Sequence, residues 1–134
     1  MTELVYGKHP VYHLISAGRR RAIRLHLPKT LEKEEKDLLQ LCRTKKIPIS
    51  LEEPPYQGVA VETEEYPYVP VDSLLGESLV LILDEIQDPQ NLGALCRSAT
   101  LFGVGGVVIP ESRAASIGPG ACQASVGAVE YLKI

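Results

Sequence analysis

The stretch Asp88-Pro89-Gln90-Asn91-Leu92-Gly93-Ala94-Leu95-Cys96-Arg97-Ser98-Ala99 decides how this chain is interpreted. It follows the most apolar run of the chain, residues 79–83, which is short and aliphatic and so predicts a buried parallel strand. Asp88-Pro89 breaks that strand, and Asn91 is a good N-cap for a helix that begins at Leu92. The expected buried face of this helix is Leu92, Leu95, Cys96, Ala99 and Phe102. Arg97 falls nearly opposite to that face and is expected to point outward.

A turn of this kind, at the carboxyl end of a parallel strand, is where α/β folds place ligands. Gly93 in the first helical turn would leave backbone N–H groups open to an anion such as a phosphate. An ordinary strand-to-helix connection with a solvated Arg97 explains the same residues about as well. The local pattern therefore leaves both interpretations open.

The identities of the residues favour the first interpretation. Asn91, Gly93, Ala94, Arg97, Ser98 and Ala99 resemble the first signature motif of the SpoU (TrmH) family of RNA ribose 2′-O-methyltransferases, in the SPOUT superfamily. The resemblance runs along essentially the whole chain. It includes Tyr6-Gly7-Lys8-His9-Pro10-Val11 with Gly18-Arg19-Arg20, Gln57-Gly58-Val59-Ala60, residues 103–110 and residues 125–128.

The resemblance and the local patterns together predict an α/β fold in three parts. Residues 1–63 are expected to form a small α/β RNA-binding domain with the element order β-α-β-α-β. Residues 64–78 are acidic, contain two prolines and are expected to be a linker. Residues 79–134 are expected to begin a parallel-sheet SPOUT domain of the trefoil-knot family.

Within the first part we predict a helix over residues 9–17 that ends at Gly18 and a helix over residues 31–46 capped by Thr30. Near the chain end, residues 131–134 look like the beginning of another strand.

Charge is distributed unevenly along the chain. Residues 1–50 carry eleven Lys and Arg against five Asp and Glu, whereas residues 51–78 carry no basic residue and seven acidic ones. A basic first part is typical of a module that contacts phosphates. A solvated turn is the alternative explanation of the arginine run. We predict that the RNA-contacting residues are Lys8, Arg19, Arg20, Arg21 and Arg24.

The resemblance implies that a methyl group moves from S-adenosylmethionine to a ribose 2′-hydroxyl, with Arg97 and Asn91 as catalytic residues. A guanidinium stays protonated in proteins, so Arg97 suits binding a phosphate and stabilising developing charge better than acting as a base. Asn91 would orient Arg97 or the ribose.

Two departures from the family pattern stand out. The segment before the family's His-Gln-Gly is shortened to residues 52–56, and Tyr56 replaces the His. The two later motifs that form the knot and bind S-adenosylmethionine do not occur in these 134 residues. We therefore expect the N-terminal portion of a methyltransferase, with no cofactor-binding residue of its own and no activity alone.

The resemblance also implies ribosomal RNA as the substrate and a homodimer as the working form. No apolar run approaches the roughly 20 residues of a membrane span. Cys42, Cys96 and Cys122 fit neither a disulfide framework nor a metal site, which favours a cytoplasmic setting and core positions for all three. The alternative function is a non-catalytic RNA-binding or dimerisation module. An unrelated nucleotide-binding enzyme is not favoured, because no Gly-rich dinucleotide or P-loop pattern is present.

Overall fold

The computed structural model describes residues 1–52 and 58–134, and it has a mixed α/β fold built on two sheets. The helices and strands, in chain order, are β1 (Thr2–Tyr6), α1 (Lys8–Ala17), β2 (Ala22–His26), α2 (Lys36–Thr44), β3 (Ile49–Ser50), β4 (Ala60–Glu64), β5 (Val80–Ile82), α3 (Pro89–Leu101), β6 (Gly106–Val108) and α4 (Pro119–Ala124). Short 3₁₀ turns lie at Lys29–Leu31, Val71–Leu74 and Ala128–Tyr131. The predicted α/β class is confirmed.

The first sheet has the strand order β1-β4-β2-β3. Strand β4 pairs antiparallel with both β1 and β2, and β2 pairs with β3 in parallel. The predicted order β-α-β-α-β is therefore one strand short, because two strands, β3 and β4, follow α2. Val5, Leu25 and Val61 lie on three neighbouring strands of this sheet and are fully buried, so one face of the sheet forms a core.

Helix α1 agrees with its prediction, because the chain leaves it at Gly18 with a φ of 64°, a left-handed conformation in which glycine is unstrained. The long helix predicted over residues 31–46 is only partly correct. A 3₁₀ turn at Lys29–Leu31 precedes a shorter helix, α2, whose N-cap position is Glu35 rather than Thr30. Residues 32–37 contain no apolar side chain to bury, and the buried face of α2 begins only at Leu38.

The second sheet consists of β5 and β6, which pair in parallel with Leu81 opposite Val107. The predicted parallel strand is confirmed, but its predicted burial is wrong for part of its length. Ile82 is 73% exposed and Leu79 is 50% exposed, because β6 is the strand that pairs with β5 and the other edge of β5 is uncovered in the described part of the chain. Helix α3 connects the two strands.

The acidic segment predicted as a linker joins the two sheets, but it is packed rather than solvated. Tyr66 is buried, and its hydroxyl lies 2.8 Å and 2.7 Å from the carbonyl oxygens of Val129 and Leu132. Burial raises the pKa of this phenol. The Val69 N–H donates to the Ile134 carbonyl at 2.8 Å, so the last residues lie beside this segment. The strand predicted over residues 131–134 is not formed, because Tyr131 ends a 3₁₀ turn and no strand follows it in the described residues 132–134.

Buried side chains from both sheets belong to a single continuous core cluster. It includes Leu14 and Leu25 from the first part and Leu92 and Val107 from the second. Among the described residues, no helix is both long and apolar enough to cross a bilayer. Residues 53–57, which include Tyr56 of the shortened segment and Gln57 of the predicted family segment, lie outside the described residues.

Candidate functional site

The turn between β5 and α3 has a different cap from the one predicted. Asp88, not Asn91, is the N-cap of α3, and its carboxylate accepts a hydrogen bond from the Gln90 N–H at 3.0 Å. Pro89 occupies the first helical position, where its fixed φ and missing N–H are tolerated. Asp and Asn are comparable caps, so the position of the proline decides between them. A carboxylate already occupies the helix start, which makes this turn a poor site for a second anion.

Gly93 has a packing role that the sequence did not indicate. It is buried against α4, and a Cβ atom at this position would lie 2.5 Å from the Cβ of Ala124 and 2.7 Å from the Ala121 carbonyl oxygen. Such distances are far below van der Waals contact, so only glycine lets α3 and α4 approach this closely. The predicted role, of leaving backbone N–H groups open to a phosphate, is not supported.

Arg97 is exposed on α3, as the helical periodicity predicted, while Leu92, Cys96 and Ala99 are buried on the opposite side. Leu95 is half-buried, and the prediction that Phe102 is buried is wrong, because it ends the helix with 79% of its surface exposed. No ion pair or hydrogen bond engages the Arg97 guanidinium within residues 1–52 and 58–134. Its charge is therefore available to a ligand.

Arg97 lies in a shallow depression of about 410 Å³, which we call the Arg97 depression. Its walls come from α1, from α3 and from the segment after α4. The residues that line it are His9, His13, Arg97, Thr100, Leu101, Ser125, Val126, Ala128 and Tyr131.

Asn91 is not among the residues that line the Arg97 depression. It is exposed in the first turn of α3, six residues before Arg97. That separation is about 9 Å along the helix axis and about 120° around it. The predicted catalytic pair is therefore on one helix but not brought together, and Asn91 does not orient Arg97 directly.

Arg20 is not on the surface, so the prediction that it contacts RNA phosphates is wrong for the folded chain. Its side chain is 1% exposed and forms a bidentate pair with Glu130, with Nε and Nη2 donating at 2.9 Å and 2.8 Å. Nη1 donates to Glu3 at 2.6 Å and to the Glu64 carbonyl at 3.0 Å, and Nη2 also lies 3.3 Å from the Cys122 sulfur.

We call Arg20, Glu130, Glu3 and Cys122 the Arg20 cluster. Burial by itself would lower the pKa of Arg20, but the hydrogen bonds and charge of Glu130, followed by those of Glu3, outweigh burial and raise it. Arg20 therefore stays charged and joins the first sheet to the segment after α4.

Arg19 is exposed, but its guanidinium is also held by the protein. Its Nη1 donates to the carbonyl oxygens of Leu132 and Glu130, and the guanidinium lies 6.0 Å from the centre of the Tyr66 ring. Two of the predicted RNA contacts thus stabilise the contact between the two parts of the chain.

The remaining predicted RNA contacts are exposed. Arg21 lies 3.7 Å from Glu64, and Lys8 lies 3.3 Å from Glu35. Arg24 is exposed on β2, where its register partner on β4 is Glu62. Arg21 also lines a cleft of about 450 Å³ together with Lys45 and Lys46. These side chains remain candidates for phosphate contacts.

His9, His13 and Tyr131 share the Arg97 depression but were not predicted as site residues. The one available signal was the four-residue spacing of the two histidines, which places them on one face of α1. Tyr131 comes from a distant part of the chain, so no local pattern could have found it.

The three cysteines are free and buried, as predicted. Burial raises the pKa of Cys42 and Cys96 to about 11 and that of Cys122 to about 12. In the part of the chain that the structure describes, no group of three or more His, Cys, Asp or Glu side chains is arranged to bind a metal ion.

Comparison with known families covers both parts of the chain. The SpoU rRNA Methylase family matches residues 78–134, and the family described as RNA 2′-O ribose methyltransferase substrate binding matches residues 4–69. A Staphylococcus saprophyticus protein assigned to the TrmH family of tRNA/rRNA methyltransferases is 30% identical over 148 residues, covering 98% of this chain and 59% of its own length.

The fold is similar to that of a solved SpoU methyltransferase, AviRb from Streptomyces viridochromogenes. One structure of AviRb aligns with a TM-score of 0.75 and 25% identity, over 98% of this chain and 51% of AviRb. A second, in complex with the cofactor AdoMet, aligns with a TM-score of 0.77 and 22% identity, over 97% of this chain and 53% of AviRb. The chain spans roughly half the length of the relatives that it matches, from 44% to 59% for the curated ones.

Proposed function

Because the chain belongs to the SpoU family of RNA methyltransferases, we propose that it serves methyl transfer from S-adenosylmethionine to a ribose 2′-hydroxyl of RNA. We propose ribosomal RNA as the substrate and the cytoplasm as the compartment in which the protein acts. The observation that carries the proposal is Arg97, which pairs with none of the described residues and sits in a depression on the helix that bears the family's first motif.

The chemistry requires a weakly acidic hydroxyl to lose its proton as it attacks a methyl group. A guanidinium cannot accept that proton, but it can bind a phosphate through two parallel N–H groups and stabilise the developing alkoxide. We assign Arg97 this role. Asn91, at the exposed start of α3, is proposed to contact the RNA rather than to orient Arg97.

The first part of the chain is proposed to bind the RNA backbone. The side chains of Arg21, Arg24 and Lys8 are exposed and basic. The family that matches residues 4–69 is described as the substrate-binding part of RNA 2′-O ribose methyltransferases. We keep residues 1–63 as the RNA-binding domain, 64–78 as the connection and 79–134 as the start of the catalytic domain. Phosphate contacts of this kind give affinity without reading sequence.

S-adenosylmethionine supplies an electrophilic methyl group to the reaction when it is bound. Among the described residues, no buried polar side-chain atom lacks a hydrogen-bond partner, so none of them stands out as waiting for this cofactor. We therefore assign no cofactor-binding residue here. We expect residues 1–134 alone to bind no S-adenosylmethionine in calorimetry and to transfer no methyl group, so a micromolar site would contradict this assignment.

A homodimer is proposed as the working form. Leu101 and Phe102, at the end of α3, are each 79% exposed and lie side by side on the surface. Large apolar side chains grouped in this way are typical of surfaces that another protein covers. A second copy seated here would bring its own residues close to the Arg97 depression.

The test is methyl transfer by the complete polypeptide that carries residues 1–134, with ribosomal RNA and transfer RNA supplied separately. Methylation of the 2′-oxygen is scored as resistance of the modified position to alkaline cleavage. Arg97→Ala should reduce the rate by roughly 10²–10³, the effect of losing one preorganised donor. Arg97→Lys should not restore it fully, because an ammonium lacks the planar fork.

Arg113→Ala is the matched control. Arg113 is exposed in the same part of the chain and lies 3.8 Å from Glu85, outside the Arg97 depression. Its replacement should leave the rate unchanged. Full activity in Arg97→Ala would refute the assigned role. RNA binding without any methyl transfer by the complete polypeptide would instead favour the non-catalytic alternative.

A further inference from the structure

The Arg97 depression combines groups from the two parts of the chain. Helix α1, in the N-terminal part, contributes His9 and His13, whereas α3 contributes Arg97 and the last 3₁₀ turn contributes Tyr131. Its volume of about 410 Å³ lies within the range of about 300–1,000 Å³ that is typical of small-ligand sites. The depression is therefore large enough to hold one unit of a polymeric ligand and is more than a flat contact surface.

The charge of the depression favours an anion. Within the described residues, its lining contains no Asp or Glu, and Arg97 is its permanent charge. The other arginines near the contact between the two parts are engaged, Arg19 by carbonyl oxygens and Arg20 by Glu130 and Glu3. An uncompensated guanidinium in a lining without carboxylates attracts a phosphate group.

The imidazole of His13 is held in place. Its Nδ1 shares a hydrogen bond of 2.9 Å with the Tyr131 hydroxyl, and the two rings meet edge to face with centroids 5.4 Å apart. Gly127, with a φ of 88°, allows the backbone to approach: a Cβ there would lie 2.7 Å from the Cβ of His13. Because Nδ1 is occupied, Nε2 is the ring nitrogen that His13 can offer to a ligand.

The remaining lining is suited to a sugar or a base. Val126 and Ala128 supply apolar surface, and Tyr131 is half-exposed beside them. Nucleobases stack on aromatic rings of this kind in single-stranded RNA complexes. A phosphate-binding cation, a fixed imidazole and a partly exposed tyrosine in one depression together match the parts of a nucleotide.

We infer that the Arg97 depression binds one nucleotide of single-stranded RNA, with its phosphate on Arg97 and its ribose or base against His13 and Tyr131. His9, on the same face of α1, lies at the edge of this site. The inference rests on the proposed function and adds to it the residues of α1 and the last turn as direct RNA contacts. It places the bound RNA nearer the N-terminal end of α1, away from Arg19 and Arg20, which follow the C-terminal end of that helix.

The test uses the three histidines of the chain, His9, His13 and His26, as reporters. Imidazole resonances are recorded by NMR while an unstructured uridine decamer is added, and binding is followed in parallel by fluorescence anisotropy of the labelled decamer. His9 and His13 should shift on binding, whereas His26, on β2 and outside the depression, should not.

Variants then measure the contribution of each contact. Relative to the wild type, His13→Ala should weaken decamer binding by roughly fivefold, as expected for one lost hydrogen bond, and Arg97→Ala by about tenfold or more. His26→Ala is the matched control and should bind as the wild type does. Circular dichroism spectra identical to the wild-type spectrum are required of each variant.

The outcomes separate the two proposals. Decamer binding without any shift of His9 and His13, or with unchanged affinity in His13→Ala, would overturn this inference and leave the proposed function standing. Absence of binding by the wild type would count against RNA binding itself. If the His9 and His13 resonances respond to protein dilution instead of RNA, a second copy covers the depression and the inference is wrong.

Discussion

Replacement of Arg20 by Met tests the most unexpected feature of this structure, the buried Arg20 cluster. Methionine keeps an unbranched apolar stem of similar length but removes the charge and every hydrogen-bond donor. Glu130, whose side chain is 2% exposed, would then retain a buried carboxylate without its bidentate partner. Glu3 would lose a contact of 2.6 Å, although water can reach this side chain, which is 18% exposed, more easily than it can reach Glu130.

The magnitude follows from this burial. Removing one partner of a buried ion pair costs about 3–5 kcal/mol, because the other charge stays desolvated. Domains of this size have a total unfolding free energy of about 5–15 kcal/mol, so the loss of about 3–5 kcal/mol in Arg20→Met should remove about a fifth of the stability or more. Arg21→Met is the matched control, since that side chain is 72% exposed and its replacement should change stability by no more than about 0.5 kcal/mol.

The assay is urea unfolding at pH 7, followed by far-ultraviolet circular dichroism. Glu130→Gln and the double variant complete a thermodynamic cycle, and the coupling between the two residues should be at the upper end of the usual range of about 0.5–3 kcal/mol. A loss in Arg20→Met no larger than that in Arg21→Met would refute the reasoning. It would mean that the bidentate pair with Glu130 does not form in solution.

Three further predictions concern packing, pH and RNA. Gly93→Ala should destabilise the protein by about 1–3 kcal/mol through the clash with α4, whereas Gly76→Ala, where a Cβ meets nothing within 4 Å, should not; thermal melts of both decide this. The free energy of unfolding should fall as pH rises from 9 towards 11–12. Thiols of the unfolded chain ionise near pH 9.0, whereas burial raises the pKa of Cys122 to about 12 and that of Cys42 and Cys96 to about 11, so the folded state keeps protons that the unfolded state loses. Urea midpoints at pH 7, 9 and 10 should fall in that order, and less steeply in Cys122→Ser. Arg21→Ala should reduce the log–log salt slope of RNA binding by about 0.7, and an unchanged slope in anisotropy titrations would remove Arg21 from the RNA-contacting set.

Local patterns in the sequence were sufficient for most of the secondary structure. The apolar run before Asp88 and the helical spacing after it predicted β5 and α3, and the same spacing placed Arg97 outward. Gly18 marked the end of α1 correctly. These features depend on interactions between residues a few positions apart, which is the range that periodicity and capping signals report.

Tertiary structure alone decided what the arginines do. Arg20 and Arg21 are neighbours in the sequence and look alike there, yet the first is buried against Glu130 and the second is exposed. Glu130 is 110 residues away from Arg20, so no local pattern could pair them. Glycine is required at position 93 because α4 packs directly against it, and the sequence around Gly93 gives no sign of that contact.

The candidate site divides in the same way. The sequence by itself determined that Arg97 is an outward charge on a helix after a parallel strand, because helix geometry fixes the directions of its side chains. Only the tertiary structure placed His9, His13 and Tyr131 beside Arg97 and left Asn91 apart from it. Those positions depend on how α1 and the last turn pack against α3, and that packing is set by buried contacts between residues far apart in the chain.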